Sequence, residues 1–290
     1  MMPVPPTHRP VPRDTIDASV RAALAEDVGA GDITARLIDE GDTGRANLMT
    51  REAMCLCGTA WFDAVFAQLD ARVLVEWRVA DGDWVEAGAM LCSVTGPTRA
   101  LLTGERCAMN FVQMLSGTAT ATFLCATRFA GVSMQLLDTR KTIPGHRLAQ
   151  KYAVRCGGGH NHRLGLYDAF LIKDNHIAAA GSVARAIRRA REVSPGAPIE
   201  VEVETLAQLE DAIAEGADIV MLDNFDDASV ERAVRVSAAA GVGRPKLEVS
   251  GNVDEARIAF LARAGIDYVS LGALTKHLHA VDLSMRYVST

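Results

Sequence analysis

The sequence predicts an α/β protein whose C-terminal half is an incomplete or tightly built α/β barrel. From Met134 onward, six short apolar runs alternate with amphipathic helical stretches. Such alternation implies a parallel sheet, because parallel neighbours need a crossover connection. The six units fit into about 140 residues, whereas a complete eightfold barrel typically takes about 250. An open doubly wound sheet is the alternative architecture. Its dinucleotide-binding form is disfavoured, since no GxGxxG follows the first strand.

The elements follow from the apolar pattern. The opening MMPVPPTHRPVPRD is Pro-rich without an apolar h-region, which reads as an unstructured arm rather than a signal peptide. Ile16, Val20, Ala23 and Leu24 give Asp14–Glu26 a helical spacing. A turn-rich Asp27–Asp32 loop and a strand at Arg45–Met49 come next. Val73–Val79 and Trp84–Val94 flank Asp81-Gly82-Asp83 and predict a hairpin. Cys55-Leu56-Cys57 reads as a strand with buried thiols rather than a redox pair. Two helices are expected at Glu105–Leu115 and Thr118–Phe129. The later strands are Met134–Leu137, Ala169–Ile172, Ile199–Val203, Ile219–Leu222, Leu247–Val249 and Tyr268–Leu271. The helices between them are Arg147–Arg155, Val183–Val193, Leu206–Ala214, Ala228–Ala239 and Asp254–Ala264.

Composition narrows the function. Of 290 residues, 36 are acidic and 30 basic, for a net charge of −6, and 49% are hydrophobic. Disorder is excluded, no apolar run reaches membrane-span length, and non-specific nucleic-acid binding lacks the basic surface it needs. Six cysteines without a CxxC pair read as reduced thiols in a cytoplasmic protein. Lys is scarce, at five residues, yet three of them (Lys141, Lys151 and Lys173) lie between Asp138 and His176. That 39-residue window has seven Lys or Arg against three Asp, net +4, so the remaining chain is −10. A basic island in an acidic protein points to an anion site.

In parallel α/β folds, ligands bind at the carboxyl ends of the strands. The first end is Asp138-Thr139-Arg140-Lys141 and the second Lys173-Asp174-Asn175-His176. The third strand alternates Glu200, Glu202 and Glu204 with valines, and the fourth ends in Asp223-Asn224. Ser250-Gly251-Asn252 and Leu271-Gly272-Ala273 are small-residue ends whose backbone N–H groups can cradle phosphate. Two cationic, two acidic and two small-residue ends suit a phosphorylated, anionic substrate with a metal ion. The run Gly157-Gly158-Gly159-His160-Asn161-His162-Arg163 follows a helix. A zinc reading of His160-x-His162 lacks further ligands at structural-site spacing, so a histidine hydrogen-bonded to an anion is preferred. Lys173 could form a Schiff base in a dry pocket, as in barrel aldolases.

These stretches together resemble the quinolinate phosphoribosyltransferase family, the carboxylating nicotinate-nucleotide pyrophosphorylases. The resemblance is carried by Glu26–Thr34, Gly104-Glu105-Arg106, Asn110-Phe111, Leu115-Ser116-Gly117 and Asp138–Thr142 with Pro144-Gly145. It continues through Lys151–Val154, Gly157–Arg163, Leu171–His176, Val201–Glu204, Leu222–Asn224 and Glu248–Asn252. It implies an N-terminal α/β sandwich domain, residues 1–115 with 276–290 packing back on it, and an open α/β barrel over 116–275. It also implies conversion of quinolinate and phosphoribosyl pyrophosphate into nicotinate mononucleotide, pyrophosphate and CO₂, with Mg²⁺ and no organic cofactor. A homodimer with shared active sites is implied too.

Carried over residue by residue, Arg140, Lys141, His162 and Arg163 hold quinolinate with Arg106 of the partner chain. Lys173 contacts either substrate, and Glu202 and Asp223 lie near the ribose hydroxyls and Mg²⁺, reaching the metal through water. The catalytic set is Lys141, Lys173, Glu202 and Asp223. Thr139, Ser250, Gly251, Asn252, Leu271, Gly272 and Ala273 complete the substrate site, mostly around the 5′-phosphate. His277 lies near it as well.

Rival readings are a related pyrophosphorylase of the molybdenum-transport-associated group, a Lys173 Schiff-base aldolase, and a non-catalytic metabolite sensor. A lipoyl-type carrier is suggested by Val79–Gly88, but no Lys precedes Lys141 to carry the modification.

Overall fold

The structure, a computed structural model, describes residues 10–251 and 253–288. The first nine residues of the Pro-rich arm, and Asn252, lie outside them. In chain order the first elements are α1 (Arg13–Val28), β1 (Thr43–Thr50), β2 (Met54–Cys55), α2 (Thr59–Leu69), β3 (Leu74–Trp77), β4 (Trp84–Val85), β5 (Met90–Pro97) and α3 (Thr98–Ala126). Then come β6 (Gln135–Leu137), α4 (Arg147–Cys156), β7 (Phe170–Ile172), α5 (Asp174–Ala180), α6 (Val183–Val193), β8 (Ile199–Val203), α7 (Leu206–Ala214) and β9 (Ile219–Leu222). The chain finishes with α8 (Asp227–Ala239), β10 (Lys246–Ser250), α9 (Glu255–Ala264), β11 (Tyr268–Ser270), α10 (Ala273–Lys276) and β12 (Leu283–Val288). Contacts divide the chain into two units. One takes residues up to 125, 142–159 and 274 onward; the other takes 126–141 and 160–273.

In the first unit, β12, β1, β5 and β3 form a sheet in that order, each pair antiparallel. One core joins Trp61, Phe62 and Phe66 of α2 to Leu48, Leu91, Val112 and Leu115, and takes in Ala149 and Ala153 of α4. Two sequence expectations are corrected here. The predicted pair of helices after residue 105 is the single 29-residue α3. Gly117 falls in the gap between the two predicted spans, but a Cβ there would collide with the backbone carbonyl of His279, so it marks a close backbone approach inside a continuous helix. The predicted hairpin partner Trp84–Val94 is two strands. Gly88 turns the chain in the left-handed region at φ 83°, β4 pairs with β2, and β5 pairs with β3. Cys55 and Cys57 are fully buried, and burial pushes both thiols upward, so they are inert packing residues.

The Gly157–Gly159 run is also packing in this unit. Side chains at 157 or 159 would strike α3, at Ala119 and Thr122 respectively, while Gly158 turns the chain at φ 85°. It serves as the helix terminus and close approach rather than as a phosphate cradle.

The second unit is a six-strand parallel sheet in the order β6-β11-β10-β9-β8-β7. Strand alternation sets its faces. Ile199, Val201 and Val203 are fully buried on one face of β8, while Glu200 and Glu202 turn to the other. Register places Glu202 beside Met221, and Met221 beside Glu248, so Glu202 and Glu248 share that second face two strands apart. The His162 ring reaches Glu200 of β8 while its backbone amide binds Asp138, which follows β6. The sheet is therefore curled into an open barrel, not laid flat as a doubly wound sheet.

Candidate active site

The carboxyl ends of the barrel strands, with the segment 160–163 that Asp138 anchors, hold the predicted residues, except Asn252, which lies outside the described residues, and Arg106 and His277 of the first unit. Arg106 is exposed on α3 of the first unit.

After β6, Asp138 is fully buried and acts as an anchor. Its Oδ2 accepts from Asn161 Nδ2 at 2.6 Å and its Oδ1 from the His162 backbone amide at 2.9 Å. The segment 160–163 is thereby tied to the end of β6, where His160 also forms a parallel bridge with Leu137. Thr139 Oγ1 accepts from the Lys141 amide at 3.1 Å. The Lys141 side chain lies over Gly272: a Cβ there would stand 2.8 Å from Lys141 Cδ and 3.4 Å from Thr139 Oγ1. Thr139, Lys141 and Gly272 are thus one locus.

Arg163 is brought beside Arg140. Burial and the neighbouring Arg140 charge both lower the Arg163 pKa. Arg163 donates to the carbonyl of Ala169 at 3.3 Å, yet its Nε, like that of Arg140, is buried with no hydrogen-bond partner among the described residues. Two neighbouring guanidinium groups, each with a buried Nε that has no partner among the described residues, have the chemistry to bind a polyanion, and their planar forks match carboxylates.

Lys173 caps α5, its amide donating to His176 Nδ1 at 3.0 Å. Its Nζ pairs with Glu202 Oε2 at 2.5 Å. The Lys173 side chain is 43% exposed, so the site lacks the dry, unpaired amine that Schiff-base chemistry requires. Asp223 follows β9, its amide donating to the Val203 carbonyl at 2.9 Å and its Oδ2 accepting from Asn224 Nδ2 at 3.1 Å. Asn224 is the sole non-glycine among the described residues with positive φ, at 56°, a conformation that asparagine tolerates. Glu202 and Asp223 therefore stand on adjacent strands as a pair of hard oxygen donors. Ser250 is half-buried, and Gly251 adopts φ 125° and donates to the Ser270 carbonyl at 3.3 Å. Leu271 is buried and its amide bonds the Leu137 carbonyl at 2.9 Å, whereas Gly272 and Ala273 open the short α10. His277 is exposed in the first unit.

Sequence reasoning missed a buried group beneath this mouth. His162 Nε2 lies 2.8 Å from Glu200 Oε2 and 3.7 Å from Glu248 Oε2. Burial, and then the adjacent Glu200 charge, push the Glu248 carboxyl up to about 7. The signal was a lone acid between Leu247 and Val249 in an apolar strand, and the alternation of Glu200 with Val201.

Family models match both halves of the chain, meeting near residue 117, whereas the contact-defined units also place 142–159 and 274 onward with the first unit. The N-terminal domain model of quinolinate phosphoribosyl transferase matches residues 32–116, and the C-terminal domain model matches 118–286. A probable carboxylating nicotinate-nucleotide pyrophosphorylase of Bacillus subtilis is 40% identical over 261 residues, covering 90% of this chain and 89% of that protein. The carboxylating nicotinate-nucleotide pyrophosphorylase of Mycobacterium leprae is 41% identical, covering 94% of this chain and 96% of its own. Among solved structures, the nicotinate-nucleotide pyrophosphorylase from Francisella tularensis superposes with a TM-score of 0.90 at 47% identity, covering 96% of this chain and 98% of that one.

Proposed function

This chain belongs to the quinolinate phosphoribosyltransferase family, and from that premise we propose how its strand-end residues divide the reaction. The enzyme is a pentosyltransferase that joins quinolinate to the ribosyl carbon of phosphoribosyl pyrophosphate and removes CO₂. The relatives' names specify the carboxylating pyrophosphorylase reaction, which disfavours the molybdenum-transport alternative, and the Lys173–Glu202 pair disfavours the aldolase.

The observation that carries the assignment of residues is the Arg140–Arg163 pair with its buried, unpartnered Nε donors. Quinolinate is a dianion, and its two carboxylates relieve the repulsion between these cations. Lys141, packed against Gly272, faces the small-residue ends, where Ser250, Gly251, Asn252, Leu271, Gly272 and Ala273 hold the 5′-phosphate. Leu271, being buried, can offer only its backbone. Thr139 sets the Lys141 loop through its hydroxyl. Lys173 contacts substrate while Glu202 orients it, and Glu202 and Asp223 stabilise positive charge developing at the ribosyl carbon.

The ring nitrogen attacks that carbon and the C–O bond to pyrophosphate breaks. The C2–carboxylate bond then breaks, its electron pair remaining on the ring to be protonated at C2, and CO₂ departs. The positive ring nitrogen stabilises that electron pair, so no organic cofactor is invoked. Two adjacent carboxylates, Glu202 and Asp223, fit a hydrated Mg²⁺ held through water, and they are the residues that would hold it with phosphoribosyl pyrophosphate. When bound, Mg²⁺ would supply neutralisation of pyrophosphate charge.

We place the enzyme in the cytoplasm, a reading supported by its six cysteines, none of which forms a disulfide. No helix among the described residues is long and apolar enough to cross a membrane. A homodimer is supported by the apolar surface around the edge strand β7, where Leu166, Tyr167 and Val193 are exposed beside an open cleft of about 410 Å³ lined by Phe170 and Ile172. The test is direct: incubation with quinolinate, phosphoribosyl pyrophosphate and Mg²⁺ should release CO₂ and pyrophosphate. Nicotinate should not replace quinolinate, and pyrophosphate release without CO₂ would refute decarboxylation.

A further inference from the structure

We propose that Glu200 is a positioning residue that acts through a neutral His162 to fix Arg163 for its substrate carboxylate, so that His162 contributes geometry and not charge. This rests on the assignment of Arg163 to quinolinate above.

The hydrogen bonds determine the histidine tautomer. The backbone N–H of Arg163 donates to His162 Nδ1 at 2.8 Å, which requires a bare lone pair on that nitrogen. The proton of the neutral ring is then on Nε2, which faces Glu200 Oε2 at 2.8 Å. Both ring nitrogens are spent inside the protein. An imidazolium would have to give up the Arg163 amide, because a protonated Nδ1 cannot accept. The chain of contacts runs from Glu200 on β8, through the ring, to the backbone of Arg163, whose guanidinium is set beside Arg140. The His162 backbone is itself held by Asp138 after β6. Arg163 is thereby fixed from two strands of the barrel.

The same cluster has the composition of a metal site, with donor atoms of His162, Glu200 and Glu248 all within 4.8 Å of one another. Glu248 is fully buried, and neither of its oxygens has a hydrogen-bond partner among the described residues. A cation ligated by Nε2 would need the proton on Nδ1, where the Arg163 amide already donates. The tautomer therefore favours a hydrogen-bonded network over a metal centre.

The test compares Glu200→Gln with Glu200→Leu in the full-length enzyme. Gln keeps an oxygen that accepts from His162 Nε2–H but removes the charge; Leu removes the acceptor. Steady-state kinetics should show the Michaelis constant for quinolinate raised about tenfold in Glu200→Leu, the scale of one lost hydrogen bond. That for phosphoribosyl pyrophosphate should stay nearly constant, and Glu200→Gln should remain close to the unaltered enzyme for both. If Glu200→Gln loses quinolinate as severely as Glu200→Leu, His162 works as a charged group and the proposal fails. Should Glu200→Leu not fold, Glu200→Ala replaces it as the variant without an acceptor and is judged by the same comparison with Glu200→Gln; a variant without an acceptor that leaves the quinolinate Michaelis constant unchanged would overturn the proposal. Stoichiometric zinc or another transition metal in the purified enzyme, lost in Glu248→Gln, would also overturn it. An unaltered enzyme that turns over no quinolinate would instead reject the functional assignment, so the two failures are separable.

Discussion

Replacing Glu248 by Gln should make the protein more resistant to unfolding at alkaline pH than at acid pH, relative to the unaltered chain. The carboxyl is fully buried and sits beside Glu200, which raises it from an ordinary 4.5 to about 7. Below 4.5 it is protonated both folded and unfolded and contributes nothing. Between 4.5 and 7 the unfolded chain releases the proton while the native barrel keeps it, so the native state loses ground as pH rises. Above 7 the full cost is present, about 3 kcal/mol; at pH 5 it is about 1 kcal/mol. Gln has no such titration. Any cost of burying its amide is independent of pH and cancels when the difference between the two proteins is followed from pH 5 to pH 8.

Urea unfolding at several pH values, at one protein concentration so that association is constant, measures this difference. The gap between variant and unaltered protein should move by about 2 kcal/mol in the variant's favour across that range. A gap that stays flat with pH would show that Glu248 ionises normally in the fold, and the reasoning from its burial would be refuted.

Further expectations concern the mouth of the barrel. Arg140→Lys should weaken quinolinate binding about tenfold or more, and phosphoribosyl pyrophosphate much less, since a point charge cannot replace a planar fork; equal losses would indicate a folding defect, and no loss would remove Arg140 from the pocket. Glu202→Gln should lower turnover with quinolinate affinity nearly unchanged, the pattern of an interaction made in the transition state; full turnover would sink that role. Arg106→Ala and Lys141→Ala should each be inactive alone but regain activity when mixed with subunit exchange, because one site of the mixed dimer is then whole; verified mixed dimers without activity would exclude a shared site.

The parts legible in sequence were those set by strict periodicity. β8 and β9, with α6 and α7, fall where the apolar alternation and helical spacing place them, because each buries one face. That Arg140, Lys141, Lys173 and Asp223 lie at strand ends was legible because a strand's carboxyl end is a position in the sequence as well as in space. What was missed needed long-range information. The gap predicted at residues 116–117 is closed in the structure, where Gly117 lets the backbone of His279 pack against a continuous helix. The seven-residue α5 buries no side chain, so it leaves no apolar stripe to read. Glu200 and Glu248 could be placed on a face by alternation, but depth and mutual proximity depend on strand order, which the sequence does not state. The basic window was itself divided by the fold: Arg140, Lys141, Arg163 and Lys173 belong to the barrel unit, while Arg147, Lys151 and Arg155 lie on α4 of the other.

His162 also explains why the sheet must curl. In the sheet order, β6 and β8 are separated by β11, β10 and β9. Four inter-strand steps in a flat sheet would put them about 19 Å apart. An imidazole reaches only several ångströms from its own backbone, yet the His162 amide bonds Asp138 after β6 while its ring touches Glu200 of β8. The flat alternative cannot satisfy both bonds. The segment from His160 to Ala169 makes the remaining span: His160 bridges Leu137 at the β6 edge, and Arg163 bonds the carbonyl of Ala169, which immediately precedes β7. The two edge strands are thus linked through the stretch that carries Arg163. Curvature of the barrel and placement of the arginine pair have one cause, and cutting the Asp138 anchor, for instance by Asp138→Ala, should disturb quinolinate binding through both.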